Sequence, residues 1–265
     1  MFTIHPIHAG TLALDKGGMT YLIDEGITVR SPVLVFLLLP ADPEDDRVVL
    51  VDAGVAAGRI AGRDVEGGGP EPIREGLAAH GFDPADVDHV ILTHLHHDHA
   101  ANVESFPDAE VLIQRAELAA ARDPLAHMER TYIDAHRKAV ENANPTIVDG
   151  GFRLCEGLDL RLAPGHTRGM QAVVVETREG THAIVADLLY CRQNLDPGVE
   201  TIRDVDGEAI PVTPVDRAYV PPGLHVDAAA CYESVARLRE RVGDDDRLLS
   251  GHMPEVLDHD AYPVG

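Results

Sequence analysis

The 265-residue sequence contains no tryptophan, only three cysteines and only two lysines, Lys16 and Lys138. Cys155, Cys191 and Cys231 are odd in number, far apart and without Cys-x-x-Cys spacing. That argues against a disulfide framework and against thiolate metal ligands, and fits reduced thiols. Long apolar runs are also missing. The longest aliphatic stretch, residues 33–39, is bracketed by Pro32 and Pro40 and falls far short of the roughly 20 residues that span a bilayer. It reads as a buried strand. The opening MFTIHPIHAG has neither a cationic region nor an apolar stretch of secretory length, so a cytoplasmic location is expected. Positive charge is scarce: 45 acidic residues stand against 22 basic ones, for a formal net charge of -23. Such a chain repels nucleic-acid phosphates and anionic lipid, and no basic stripe or aromatic platform offsets the repulsion. Nucleic acid and membrane are therefore excluded as expected partners. An acidic, lysine-poor surface resembles that of salt-adapted proteins, whereas a GC-rich coding sequence would replace lysine without explaining the excess acid.

What is present suits one globular unit. Length and a hydrophobic fraction of 45% allow a substantial core within a single domain spanning residues 1–265. Strand-length apolar runs lie at 33–39, 47–51, 87–93, 110–114, 158–163, 171–176, 182–186 and 247–249. Helical patterns lie at 71–80, 115–142 with a break at Pro124, and 227–242. A glycine-rich loop joins 52–54 to Pro70. The mixture is α/β. A proline-rich insertion at about 191–226 has no clear period and is long for a loop, which leaves a lid and a disordered insertion both open.

Residues 92–102 read LTHLHHDHAAN and place four of the fifteen histidines in six positions. Buried imidazoles each need a partner and repel once protonated, so this crowding asks for a cation. His94 and His96 project to one side of an extended chain, and Asp98 and His99 follow where it turns. Imidazole beside a hard carboxylate suits two neighbouring divalent ions. Taken alone, Asp98 could cap a helix and the run could be a solvated loop. Partner ligands should sit at other strand ends, and three segments qualify: PGHT with His166, Asp187 after the run ending at 186, and SGH with His252. One ion would then take His94, His96 and His166, the other Asp98, His99 and His252, with Asp187 bridging.

THLHHDH, PGHT, the isolated Asp187 and the late Gly251-His252 together resemble the metallo-β-lactamase superfamily over about residues 33–252. The resemblance implies a four-layer αββα sandwich of two mixed β-sheets flanked by helices, two divalent ions, and a supporting role for Asp52 in VDAG. Zinc is the expected metal, with iron, manganese and cobalt compatible with the same donors. Asp187-Leu-Leu-Tyr190 further resembles the N-acyl-homoserine lactone lactonases, whose tyrosine at this spacing contacts the substrate carbonyl. This implies opening of a lactone ring by a metal-bridging hydroxide, a quorum-quenching activity on a small-molecule substrate. Tyr190 would polarise the carbonyl, and Asp98 or Asp187 would carry the proton. His97 stands where an aromatic residue is common and is a candidate substrate contact. Ala100-Ala101 replaces a glycine-containing turn, and Met253 follows His252 where aspartate is frequent. These departures bear on acyl-chain preference and leave the ligands untouched. Other ester hydrolases remain open, acting on a pyridoxolactone-type lactone, a thioester or a phosphodiester, as do a non-catalytic metal-binding module and a homodimer. Arg168 and Arg192, the cations nearest the candidate loops, read as surface residues.

Overall fold

The computed structural model describes residues 1–264. Its first long element is one that the sequence pattern conceals. β1 (Phe2–Asp15) pairs antiparallel along its length with β2 (Thr28–Pro40), with an irregularity between His8 and Gly10. His5, Pro6, His8 and Gly10 break the apolar alternation. Pro6 is tolerated because β1 meets its other neighbour only at Thr11 and Leu12, so no ladder needs the missing N–H.

The first half continues through α1 (Lys16–Met19), β3 (Val49–Val51), β4 (Gly58–Ile60), β5 (Arg63–Glu66), α2 (Glu71–Ala79), β6 (His89–Ile91), β7 (Glu110–Gln114), α3 (Arg115–Arg122), α4 (Asp134–Asn142) and β8 (Thr146–Val148). The second half contains β9 (Phe152–Cys155), β10 (Leu158–Leu162), β11 (Gln171–Thr177), β12 (Gly180–Ile184), α5 (Arg192–Leu195), β13 (Thr201–Arg203), β14 (Ala209–Pro211), α6 (Ala228–Val242) and β15 (Leu248–Leu249). One mixed sheet has the order β4-β5-β1-β2-β3-β6-β7-β8 and the other β15-β12-β11-β10-β9, while β13 and β14 form a separate ribbon.

Alternation along the central strands explains the layering. Leu34, Phe36 and Leu38 of β2 face the core shared with the second sheet, while Val35 and Leu37 face a second core with α2, α3 and α4. β3 divides likewise, with Val49 and Val51 on one side and Leu50 on the other. A strand buried on both faces reads as an unbroken apolar run, as 33–39 does. On the far side, α6 lays Cys231, Val235, Leu238 and Val242 against the second sheet, a stripe at helical spacing. Asp227 caps this helix by accepting from the Ala230 N–H at 3.0 Å, and Gly243 ends it in the left-handed region at φ 74°. The result is the αββα sandwich.

Several expected boundaries shift. The strand expected at 87–93 is regular only over His89–Ile91, because the chain then bends to present its histidines. The single helical stretch expected from 115 to 142 is two helices, α3 and α4, separated well beyond Pro124. The loop expected after residue 54 contains the β4–β5 hairpin. The proline-rich segment is tied down: Tyr219 Oη donates to Leu188 O at 2.8 Å, and the Val226 N–H donates to Gly165 O at 2.9 Å. Among the described residues no helix is long and apolar enough to cross a membrane.

Candidate metal centre

Five strands deliver their C-terminal ends to one place. β3 runs into Asp52, β6 into Thr93–His99, β10 into His166, β12 into Asp187 and β15 into His252. β3 and β6 are parallel, as are β12 and β15, and β10 runs the same way as β12 because both are antiparallel to β11. Loops leaving one edge of two facing sheets therefore converge.

The structure brings together all seven side chains singled out as candidate ligands. His94, His96, His166 and Asp187 form one group and Asp98, His99 and His252 a second, the ligand atoms within each lying within 4.8 Å of one another. Asp187 spans both. Its Oδ2 lies 3.2 Å from His166 Nε2 and 3.7 Å from His94 Nε2, while its Oδ1 lies 3.0 Å from His99 Nε2 and 3.3 Å from His252 Nε2. Asp98 Oδ2 is 3.6 Å from His252 Nε2. All seven are buried, Asp98 being the most accessible at 7%.

The rings are aimed by their other nitrogens. His166 Nδ1 donates to Leu224 O at 2.7 Å, His252 Nδ1 to Pro32 O at 2.9 Å and His99 Nδ1 to Asp52 Oδ2 at 2.7 Å. Each bond fixes the proton on Nδ1 and leaves an Nε2 lone pair facing inward. Thr93 donates its hydroxyl to Asp52 and stands 3.1 Å from His94 Nδ1, while its N–H donates to Asp52 Oδ1 at 2.7 Å. Asp52 thus binds no ligand atom inside the cavity. It holds the Thr93 turn and the His99 ring from behind, in a left-handed conformation at φ 67°.

Glu117 does the same work from α3, and sequence reasoning missed it. Its carboxylate accepts from the Leu95 N–H at 3.0 Å, between candidate ligands His94 and His96, and from Thr167 Oγ1 at 2.6 Å, beside candidate ligand His166. Tyr132 Oη donates to it at 3.0 Å. The available signal was a carboxylate on the buried stripe of a helix otherwise packed through Leu118 and Ala121. Glycine is required at Gly165, where a Cβ would come within 2.5 Å of the Cys231 backbone nitrogen. Cys231 belongs to the core, and no cysteine joins either candidate ligand group among the described residues.

Tyr190 stacks on His252 and donates its hydroxyl to Asp187 Oδ2. Burial, then the Asp187 charge, push its pKa well above the usual phenol range, so the proton stays on oxygen. His97 is buried and lines the same pocket as Asp98 and Tyr190, with Nδ1 3.5 Å from Asp98 Oδ1. Arg168 is exposed, and Arg192 pairs with Asp246 at 2.9 Å on the surface.

The donor set fits divalent cations. His94 Nε2, His96 Nε2, His99 Nε2, His252 Nε2 and Asp187 Oδ1 are all buried without a hydrogen-bond partner, a concentration that native interiors otherwise avoid. Burial holds His94, His96 and His166 below the usual imidazole range, so they present lone pairs. At His99 and His252 burial acts in the same direction and is the largest single influence, but the carboxylates around them, Asp187 with Asp52 at His99 and Asp187 with Asp98 at His252, together reverse it and favour positive charge there. A carboxylate that attracts a proton to these rings attracts a cation between them.

A family model described as the metallo-beta-lactamase superfamily matches residues 29–252. An N-acyl homoserine lactonase of Bacillus sp is 28% identical over 203 residues, covering 72% of this chain and 77% of its own length. One from Bacillus cereus is 26% identical over 206 residues, covering 73% and 78%. Among solved structures, an N-acyl homoserine lactone hydrolase with N-hexanoyl-L-homoserine bound at its catalytic metal centre superposes with a TM-score of 0.73 at 22% identity, covering 97% of this chain and 95% of that one. A dizinc quorum-quenching lactonase has a TM-score of 0.62 at 18% identity, covering 86% and 74%.

Proposed function

Because the chain belongs to the metallo-beta-lactamase superfamily, we propose that it is a dinuclear metal-dependent hydrolase that opens the ring of a lactone of the N-acyl-homoserine type. The observation that carries this reading is Asp187, whose two carboxylate oxygens face two separate groups of buried donors. His94, His96 and His166 would hold one ion and Asp98, His99 and His252 the other, with Asp187 shared. When bound, such a pair, zinc by expectation, polarises a carbonyl and lowers the pKa of water toward neutrality.

The chain's own groups have separable roles. Hydrolysis adds water across the ring acyl C–O bond and leaves a hydroxy acid. Tyr190 keeps its proton and would shift its hydrogen bond from Asp187 Oδ2 to the carbonyl oxygen as negative charge develops there. Asp98 stays ionised, with its pKa near 2 despite burial because His97, His99 and His252 surround it. The Asp98 oxygen that the ion does not take would accept a proton and return it to the ring oxygen that departs, a role in which Asp187 is the alternative. His97 forms part of the wall that a substrate would touch. The reading includes a cytoplasmic enzyme acting on a small diffusible signal, in keeping with three free thiols.

The test is a panel of lactones, a thioester and a phosphodiester, assayed with metal analysis on one preparation. Lactone opening that is lost in chelator and restored by a divalent ion is the expected result. Metal-replete protein that opens no lactone would overturn the proposal.

A further inference from the structure

The pocket leading to the candidate metal centre carries a charge that the proposed reaction leaves unused. Asp98 and Tyr190 form its buried end, and Leu14, Met19 and Leu224 give it an apolar wall. Its exposed end holds Arg63, the first residue of β5 and the only arginine or lysine among the described residues that line it. Other cations around the same hairpin are committed. Arg59 lies 3.7 Å from Asp64, and Arg30 of β2 pairs with both Glu66 and Asp206. Arg63 has no ion pair and no side-chain hydrogen bond among the described residues. The carboxylate of Asp15, which lines the same pocket, is occupied by backbone, accepting from the Gly17 N–H at 2.8 Å and the Gly26 N–H at 3.0 Å.

Arg63 and the buried end share one space. Arg63, Asp98 and Tyr190 all line the one pocket. On a chain of net charge -23, an arginine left unpaired amid surplus carboxylate has an open bidentate site for an incoming anion. We propose that Arg63 is a specificity residue that binds an anionic group carried by the substrate at the end remote from its lactone ring. A carboxylated side chain would lie along Leu14, Met19 and Leu224 and end at the guanidinium. This rests on the lactonase reading for the ring end and adds the chemistry of the other end.

The experiment compares N-hexanoyl homoserine lactone with an analogue of equal chain length ending in a carboxylate, using metal-loaded wild type, Arg63→Gln and Arg63→Lys. Binding of the two corresponding open hydroxy acids is measured by calorimetry alongside kcat and KM. For Arg63→Gln we expect KM for the carboxylated lactone to rise about five- to tenfold with kcat held, the neutral lactone unchanged, and partial rescue in Arg63→Lys. The wild-type preference should also fall as salt is raised. Equal effects on both lactones, or none, while lactones are opened, would overturn the role of Arg63 and leave the lactonase reading standing. If no lactone is opened but the carboxylated acid binds in an Arg63-dependent way, the anion site stands and the lactonase reading falls. If neither occurs, both fall.

Discussion

The Tyr190 ring lies flat on the His252 imidazole, with centroids 4.8 Å apart and planes within 1° of parallel. Stacking fixes where the hydroxyl points without using it, so ring and hydroxyl can be separated by mutation. Tyr190→Phe keeps the stack and removes the donor. Turnover of a lactone should fall about 10- to 1,000-fold, the range expected for one preorganised donor to developing negative charge, with a smaller change in KM. Metal content should stay at the wild-type level. Full activity in the variant would remove Tyr190 from the chemistry.

Asp52 is the only described carboxylate that serves both the Thr93 turn and the His99 ring. Asp52→Ala leaves buried donors unpaired and frees His99 to rotate, while His94, His96 and His166 keep most of their supports. Affinity for the ion at Asp98, His99 and His252 should drop by about 10- to 100-fold, with less change at the other position. Competition against a chromogenic chelator resolves the two affinities. Identical curves for variant and wild type would refute the role.

Glu117 makes the opposite prediction. It holds Leu95 and Thr167, which flank His94, His96 and His166, and touches nothing near His252. Glu117→Ala should therefore weaken the first ion in the same titration and leave the second comparatively tight. Thermal stability should fall as well, by about 1–3 kcal/mol for each buried donor left unpaired. Loss confined to stability, with both metal affinities intact, would make Glu117 a folding residue only.

How much of this was legible depended on chemistry more than on pattern. The candidate ligands stood out because histidine and aspartate crowded after apolar runs are costly to bury without a cation, and the strands delivering them were continuous enough to read. β1 was hidden because His5, Pro6, His8 and Gly10 interrupt its alternation, and its partner β2 lies across a turn containing α1. Glu117 and Arg63 were hidden for another reason. A single carboxylate on a helix or a single arginine in a glycine-rich stretch carries no periodic signal, and only tertiary neighbours reveal what each one faces. The proline-rich segment showed no period because its order comes from long-range bonds, including the Leu224 carbonyl that aims His166.

The acidic surface predicts a response to salt. Acidic residues outnumber lysine and arginine 45 to 22, so negative charge stays in excess however the pairs are drawn, and surface pairs that do form contribute only about 0–1 kcal/mol each. Repulsion should dominate at low ionic strength, where the Debye length is about 30 Å, and fade near 1 M, where it is about 3 Å. The melting temperature of the metal-loaded protein should rise across that range. A flat or falling curve would show that native pairs already balance the excess charge.

Lys16 offers a pH test away from the metal centre. Its ammonium is buried, donates to Gln193 Oε1 at 2.6 Å and to the Thr20 hydroxyl, and has no carboxylate within ion-pair distance among the described residues. Burial lowers its pKa from the ordinary 10.5, with Cys191 and Asp24 acting more weakly the other way. Between the lowered folded value and 10.5 the unfolded chain binds the proton more tightly than the folded one, so stability from this residue rises with pH in that window. Below the folded value the full burial penalty remains. Comparing wild type with Lys16→Met cancels the other titrating groups. The stability difference should move in favour of wild type from neutral pH toward 10, with a slope no steeper than about 1.4 kcal/mol per pH unit for one proton. A difference that does not change with pH would mean that Lys16 is as well solvated folded as unfolded, and that its clamp between α1 and α5 costs the protein nothing in charge burial.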